Sequence, residues 1–295
     1  MVEVQTMGVV GAGTMGSGIA HVFARSGFKV LLCDVEQRFL DRALTAIRTN
    51  LGREAAKGKL AEADIEPALA RITAIVDREA LRAADFIVEA ASERFELKSE
   101  IFRALDRIMA EGAILATNTS SISITKLAAQ TQRPEDVIGM HFFNPVPVME
   151  LVEIVRGLAT SDATFASVDA LAQKLGKTPV EVNDAPGFVS NRVLMPLINE
   201  AAFAVMEGVA TAESVDQVFK LGMAHPMGPL TLADFIGLDV CVDIMRVLLD
   251  GYGDPKYRPC PLLVRMVDAG WLGKKSGRGF YRYPRKAPSS FSAGT

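Results

Sequence analysis

The chain has 295 residues, about twice the roughly 150-residue domain mode, so two domains or one large α/β domain are the leading expectations. With 49% hydrophobic and 23% charged residues it is neither disordered nor fibrous, and 32 Lys+Arg against 35 Asp+Glu gives a net charge of −3, leaving no basic excess for a nucleic-acid backbone. Cys33, Cys241 and Cys260 lie far apart with no C-x-x-C, so neither a disulfide framework nor a zinc ribbon is expected, and a reducing, cytoplasmic compartment fits.

The opening stretch to Ala24 is apolar, but Glu3 stands where a leader would be basic and glycines interrupt it, so it is read as folded protein. No window approaches 18 uninterrupted apolar residues, which argues against a membrane span. Short β-branched runs then predict strands over 5–10, 29–34, 71–76, 86–90, 113–116, 137–141, 150–155 and 178–182. Helical stretches separate them at 14–26, 38–52, 93–109 and 163–175, the last stopped by Gly176. Such alternation is that of a parallel sheet covered by helices. After Asn183-Asp184-Ala185-Pro186-Gly187 the strand signals stop, and helices are expected over 188–207, 212–221, 230–252 and 262–269. The expected organisation is therefore an α/β domain over 1–184, a smaller all-α domain over 185–284 and a disordered tail over 285–295. Around 240–245 the helical part has few polar breaks, as expected of burial against a second subunit.

Gly11-Ala12-Gly13-Thr14-Met15-Gly16 has the spacing G-x-G-x-x-G, between an apolar strand and a helix. A tight turn needs Gly11, close approach of a pyrophosphate needs Gly13, and helix packing on the strand needs Gly16. The following helix N-terminus would face the phosphates with about half a positive charge. Asp34, at the end of the second strand, would accept hydrogen bonds from ribose hydroxyls and repel a 2′-phosphate. These features predict a Rossmann-type, mostly parallel sheet that binds NAD in preference to NADP.

Ligands of open α/β sheets bind beyond the carboxyl ends of the strands, where Glu89, Ser92, Glu93, Asn118-Thr119-Ser120-Ser121 and His141-Phe142-Phe143-Asn144 collect. Of the three histidines, His21 and His225 read as structural, and only His141 ends a strand in this group. Neutral imidazole suits the removal of a hydroxyl proton, and a neighbouring carboxylate would stabilise the imidazolium. Glu153 is a candidate partner, although Glu150 shares its strand and periodicity does not select between them. The sequence has neither a zinc-type histidine pair, nor G-x-S-x-G, nor P-loop spacing, so no metal site is expected and hydrolase or phosphoryl-transfer chemistry is disfavoured.

The motifs Asn118-Thr119-Ser120-Ser121, His141 through Met149, Pro186-Gly187-Phe188-Val189-Ser190-Asn191-Arg192 and Met227-Gly228-Pro229 resemble those of the L-3-hydroxyacyl-CoA dehydrogenase family, particularly its short stand-alone members acting on 3-hydroxybutyryl-CoA. The resemblance spans residues 5–283. It implies that His141 is the base paired with Glu153 and that Ser120 and Asn191 hydrogen-bond the reacting oxygen. It also implies that Glu93, Lys98, Asn118, Asn144 and Lys275 join Gly11, Gly13, Thr14, Met15, Gly16 and Asp34 around NAD, that Asn50 and Lys57 help hold an acyl-CoA substrate, and that the helical domain forms a homodimer. Fatty acid metabolism would be the setting. Other readings of the same residues are Ser120 as the N-cap of a helix over 121–129, Asn191 as a helix N-terminal hydrogen-bonder and Lys275 as a solvated charge. Competing functions are a dehydrogenase of a free hydroxy acid, of the gulonate type, and a non-catalytic NAD-binding protein.

Overall fold

The eight apolar runs pair side by side into one sheet. A computed structural model describes residues 4–284 and places strands at β1 (Thr6–Val10), β2 (Lys29–Cys33), β3 (Ile72–Ile75), β4 (Phe86–Glu89), β5 (Ile114–Thr117), β6 (Val137–Phe142), β7 (Leu151–Arg156) and β8 (Thr178–Asn183). Their spatial order is β3-β2-β1-β4-β5-β6-β7-β8. Strands β1 to β6 are parallel, β7 runs antiparallel to β6, and β8 is parallel to β7. The reversal has a simple cause. A parallel return needs a crossover of about a dozen residues or more, and the 143–150 connector is too short for one.

Strand side chains alternate between two buried layers. Met7, Val9, Val30, Leu32, Phe86, Val88, Ile138, Met140, Val152 and Ile154 join one core, while Val10, Cys33, Ile87, Leu115, Val137 and Val155 join the other. The first layer is covered by α1 (Thr14–Arg25), α2 (Gln37–Ala55) and the short α3 (Ile65–Ala70). The second is covered by α4 (Phe95–Ile108) and α5 (Ile124–Ala128). A further helix, α6 (Asp162–Lys174), adds Val168 and Leu171 to the first layer.

The chain divides into two compact units between Phe188 and Val189. The second unit is helical, with α7 (Ser190–Met206), α8 (Ala212–Gln217), α9 (Pro229–Ile236), α10 (Leu238–Tyr252) and α11 (Pro261–Asp268). Met195, Ile198, Leu230, Leu238, Met245, Leu248 and Leu263 form its core.

Among the expected elements that differ are three helices. The single helix over 230–252 is two, because Gly237 takes φ +108°, outside helical space, and there separates α9 from α10. The helix over 121–129 begins only at Ile124, and its N-cap is Ser123, whose hydroxyl accepts from Lys126 N. Asp184 holds that start by accepting from Ser123 Oγ at 2.7 Å and Thr125 N at 2.8 Å, so Ser120 is left outside the helix as a loop residue. The helix over 93–109 begins at Phe95, which leaves Glu93 in the loop after β4. The expected disordered tail over 285–295 lies outside the described residues. Among the described residues, no helix is long and apolar enough to cross a membrane.

The nucleotide turn depends on one close approach. A Cβ on Gly16 would fall 1.7 Å from Gly11 O, and backbone cannot yield as a flexible side chain can. Gly16→Ala is expected to destabilise the first unit by about 1–3 kcal/mol or more and to abolish NADH binding, measured by chemical denaturation and NADH fluorescence. Wild-type binding in that variant would contradict the packing described.

Candidate active site

The strand order reverses between β1 and β4, which opens a crevice at their carboxyl ends. Here Gly11, at φ +99°, starts the turn, and a Cβ on it would meet Ala90 O at 2.7 Å. Helix α1 has no side-chain cap and no acid in its first turn, so its leading amides are available to an anion. Above Gly13 a Cβ would meet no atom within 4 Å, which leaves room for a pyrophosphate. Asp34 accepts from Ala12 N at 2.6 Å and Val35 N at 2.7 Å, so it also ties the glycine turn to the end of β2. These residues fit a dinucleotide: amides for phosphate and an acid beside the second strand for ribose hydroxyls.

His141 and Glu153 are direct partners in the β6/β7 register. Residues opposite each other on adjacent strands share a face, and here they share the layer of Val137 and Val155. His141 Nδ1 lies 2.8 Å from Glu153 Oε2, with the two residues 8% and 3% exposed. The rings of Phe143 and Phe188 flank the imidazole at centroid distances of 4.7 and 5.8 Å. Glu150, the other acid considered, is exposed beyond the end of β7.

A second buried ion network supports the loop after β5. Lys98 on α4 is 1% exposed and donates to both oxygens of Glu89, itself 0% exposed, at 2.8 Å, and to Ala91 O at 3.2 Å. Thr117 Oγ1 adds a 2.7 Å bond to Glu89. Lys98 also lies 3.4 Å from Glu93 Oε2. The other oxygen of Glu93 accepts from Ser120 N at 2.9 Å, from Ser121 N and Oγ at 3.2 Å each, and from the Thr119 hydroxyl. Burial pushes the Glu93 carboxyl up, but the Lys98 charge and these hydrogen bonds outweigh it and hold it below the usual carboxylate range. Lys98, expected at the cofactor, is enclosed beneath this loop and reaches it at Glu93 Oε2. Asn118 is fixed in the same region, its Oδ1 accepting from Phe142 N at 2.9 Å.

Two adjoining cavities lead away from the glycine turn. One, of about 390 Å³, runs from Gly13 and Thr14 past Arg42 and Asn50 to Asn144 and Pro145. The other, of about 250 Å³, lies among Asn50, Arg53, Glu54, Lys57, Lys59 and Pro147. Asn50, Pro145 and Pro147 line both. Glu54 is the one acid of the basic cavity, and it is already matched: Arg25 donates to both its oxygens at 3.0 Å, and His21 Nε2 lies 3.3 Å away. Burial pushes its carboxyl up, yet His21 and Arg25 outweigh that and hold it below the usual range. The cavity's other charged lining residues, Arg53, Lys57 and Lys59, are all cations. Of these three cations the family resemblance points only to Lys57, alongside Asn50. Arg53 and Lys59 join it because the chain folds back after α2, with Lys59 N bonded to Glu54 O at 2.9 Å. Three cations within seven residues was the available signal.

Asn191 and Lys275 belong to the second unit. Asn191 sits in the first turn of α7. Lys275 Nζ lies 2.6 Å from Asp239 Oδ1, so it is an ion-paired side chain and not a merely solvated charge. His225, read as structural, stacks edge-on with Phe219 at 5.3 Å.

Lys98→Met would leave Glu89 charged and enclosed without its cation. A loss of about 3–5 kcal/mol is expected in urea unfolding, with NAD affinity falling as the Glu93 loop loosens. Unchanged stability would mean that Glu89 is not held as an ion in the folded chain.

Residues 6–185 match the model of the 3-hydroxyacyl-CoA dehydrogenase NAD binding domain and residues 187–283 that of the C-terminal domain. The chain is 57% identical over 284 residues to a probable 3-hydroxybutyryl-CoA dehydrogenase of Bacillus subtilis (strain 168), covering 96% of this chain and 99% of that protein. It is 51% identical over 285 residues to the 3-hydroxybutyryl-CoA dehydrogenase of Bradyrhizobium diazoefficiens, covering 97% of each. The crystal structure of the (S)-3-hydroxybutyryl-CoA dehydrogenase from Ralstonia eutropha matches with a TM-score of 0.94 at 50% identity, covering 96% of this chain and 100% of that one. With both domain models matched along its length, the chain belongs to the 3-hydroxyacyl-CoA dehydrogenase family.

Proposed function

We propose that the protein oxidises short-chain (S)-3-hydroxyacyl-CoA to 3-oxoacyl-CoA with NAD, and catalyses the reverse. The observation that carries the mechanism is the buried 2.8 Å contact between His141 Nδ1 and Glu153. A carboxylate at that distance accepts the Nδ1 proton, which assigns the neutral ring's lone pair to Nε2. Nε2 then removes the hydroxyl proton, and Glu153 stabilises the imidazolium that results. The Gly11 to Gly16 turn would hold the phosphates of NAD and Asp34 its ribose hydroxyls, and the bound cofactor would supply the hydride acceptor. Ser120, set by Glu93, and Asn191 of the second unit are assigned to the reacting oxygen, and Asn118, Asn144 and Lys275 to the cofactor.

The adjoining cavities suit the long arm of a thioester. Arg53, Lys57 and Lys59 would meet the phosphates of CoA, while the groove along Asn50 and Pro145 would take the pantetheine. In this reading the first unit handles nucleotide and proton. The helical unit is assigned the homodimer interface, a role that suits its exposed Val189, Val193, Leu221 and Phe235. Buried, reduced Cys33, Cys241 and Cys260 fit a cytoplasmic setting, with a place in fatty acid metabolism.

With acetoacetyl-CoA and NADH, His141→Ala should lower kcat by about 10²- to 10⁴-fold while NADH affinity stays near wild type. Glu153→Gln should lower it by a smaller factor, because the base remains but loses its anionic partner. Full turnover by His141→Ala would remove the histidine from the mechanism, and equal rates on free acetoacetate or gulonate would replace the CoA reading with a hydroxy-acid one.

A further inference from the structure

Lys177 is a buried lysine that the chemistry above does not use. It immediately precedes β8 and is 7% exposed, and its ammonium donates to Val146 O at 2.6 Å and Met149 O at 2.7 Å. Burial, aided by the Arg25 charge, outweighs Glu54 and Glu150 and pushes its pKa down to about 8. A cation kept in so dry a place marks carbonyls that must be held.

Those carbonyls belong to the 145–149 segment of the β6–β7 connector. Pro145 and Pro147 line both cavities, Val146 lines the groove and Val148 the basic cavity. From the opposite side, α1 presses on Val146: a Cβ on Gly18 would lie 2.9 Å from Val146 Cβ. Inside the segment, Val148 N and Met149 N both return to Pro145 O, at 2.9 and 3.0 Å. The wall shared by the two cavities is thus pinned between a helix and one lysine.

We propose that Lys177 is a positioning residue for thioester recognition. By holding Val146 and Met149 it sets the wall facing Arg53 and Lys57, and so the preference for a CoA thioester over the same acyl group on a carrier lacking the nucleotide. This inference rests on the assignment of the basic cavity to CoA. A lysine that merely stabilised the fold would affect both thioesters alike.

The test compares kcat/KM for acetoacetyl-CoA and acetoacetyl-pantetheine in Lys177→Met, which keeps bulk but has no donor. The preference for the CoA thioester should fall about five- to tenfold, through KM of that substrate, with kcat nearly unchanged. Lys177→Arg should restore it. Arg53→Ala with Lys57→Ala serves as the reference. If that double variant loses the preference and Lys177→Met keeps it, the positioning role is wrong and the cavity assignment stands. If the double variant also keeps it, both are wrong. Equal losses on both thioesters in Lys177→Met would reduce the lysine to a structural one and overturn the proposal. Should Lys177→Met not fold, Gly18→Ala presses the same segment from α1 and is expected to lower the same ratio; an unchanged ratio there also overturns it.

Discussion

The pairing of His141 with Glu153 depends on the direction of one strand. Because the connector after β6 is too short for a crossover, β7 returns antiparallel and sets Glu153 directly across from His141. Side chains opposite one another leave the sheet on the same face, so the acid meets the ring in the layer lined by Val137 and Val155. A one-residue slip in that register would send Glu153 to the other face and leave the imidazole without its anion. Phe143 and Phe188 close around the pair and keep it dry, which makes the charge of Glu153 count for more than it would in water.

Elsewhere in the first unit two buried acids are matched by cations. Glu89 and Lys98 neutralise each other beneath the β5 loop, and Glu93 uses its remaining capacity to fix the amides around Ser120. Glu54 is matched by Arg25 and His21, which frees the cations beyond α2. A chain with a net charge of −3 can in this way offer anions two local sites, the uncapped start of α1 and the Arg53, Lys57 and Lys59 cluster.

Much of this was legible in the sequence because it is local. Apolar runs located all eight strands, and the glycine spacing located the turn at the head of α1. His141 stood out as the only histidine at a strand end. Less legible were features set by contacts between distant residues. Composition left Glu150 and Glu153 equivalent until the β6/β7 register separated them. The enclosure of Lys98 was not legible either, because its spacing from Glu89 and Glu93 says nothing of whether α4 covers it. The break at Gly237 was hidden in an apolar stretch that helical periodicity crosses without interruption. Lys177 gave no signal at all, since its partners are main-chain carbonyls some thirty residues away.

The most direct test of the central claim is the tautomer of the His141 ring. Nitrogen-15 NMR of the protein, taken at a pH where the imidazole is neutral, distinguishes a protonated from an unprotonated ring nitrogen. A proton on Nδ1, shared with Glu153, and a bare Nε2 is the expected result. A proton on Nε2 would leave the ring with no lone pair for the substrate hydroxyl and would contradict the account.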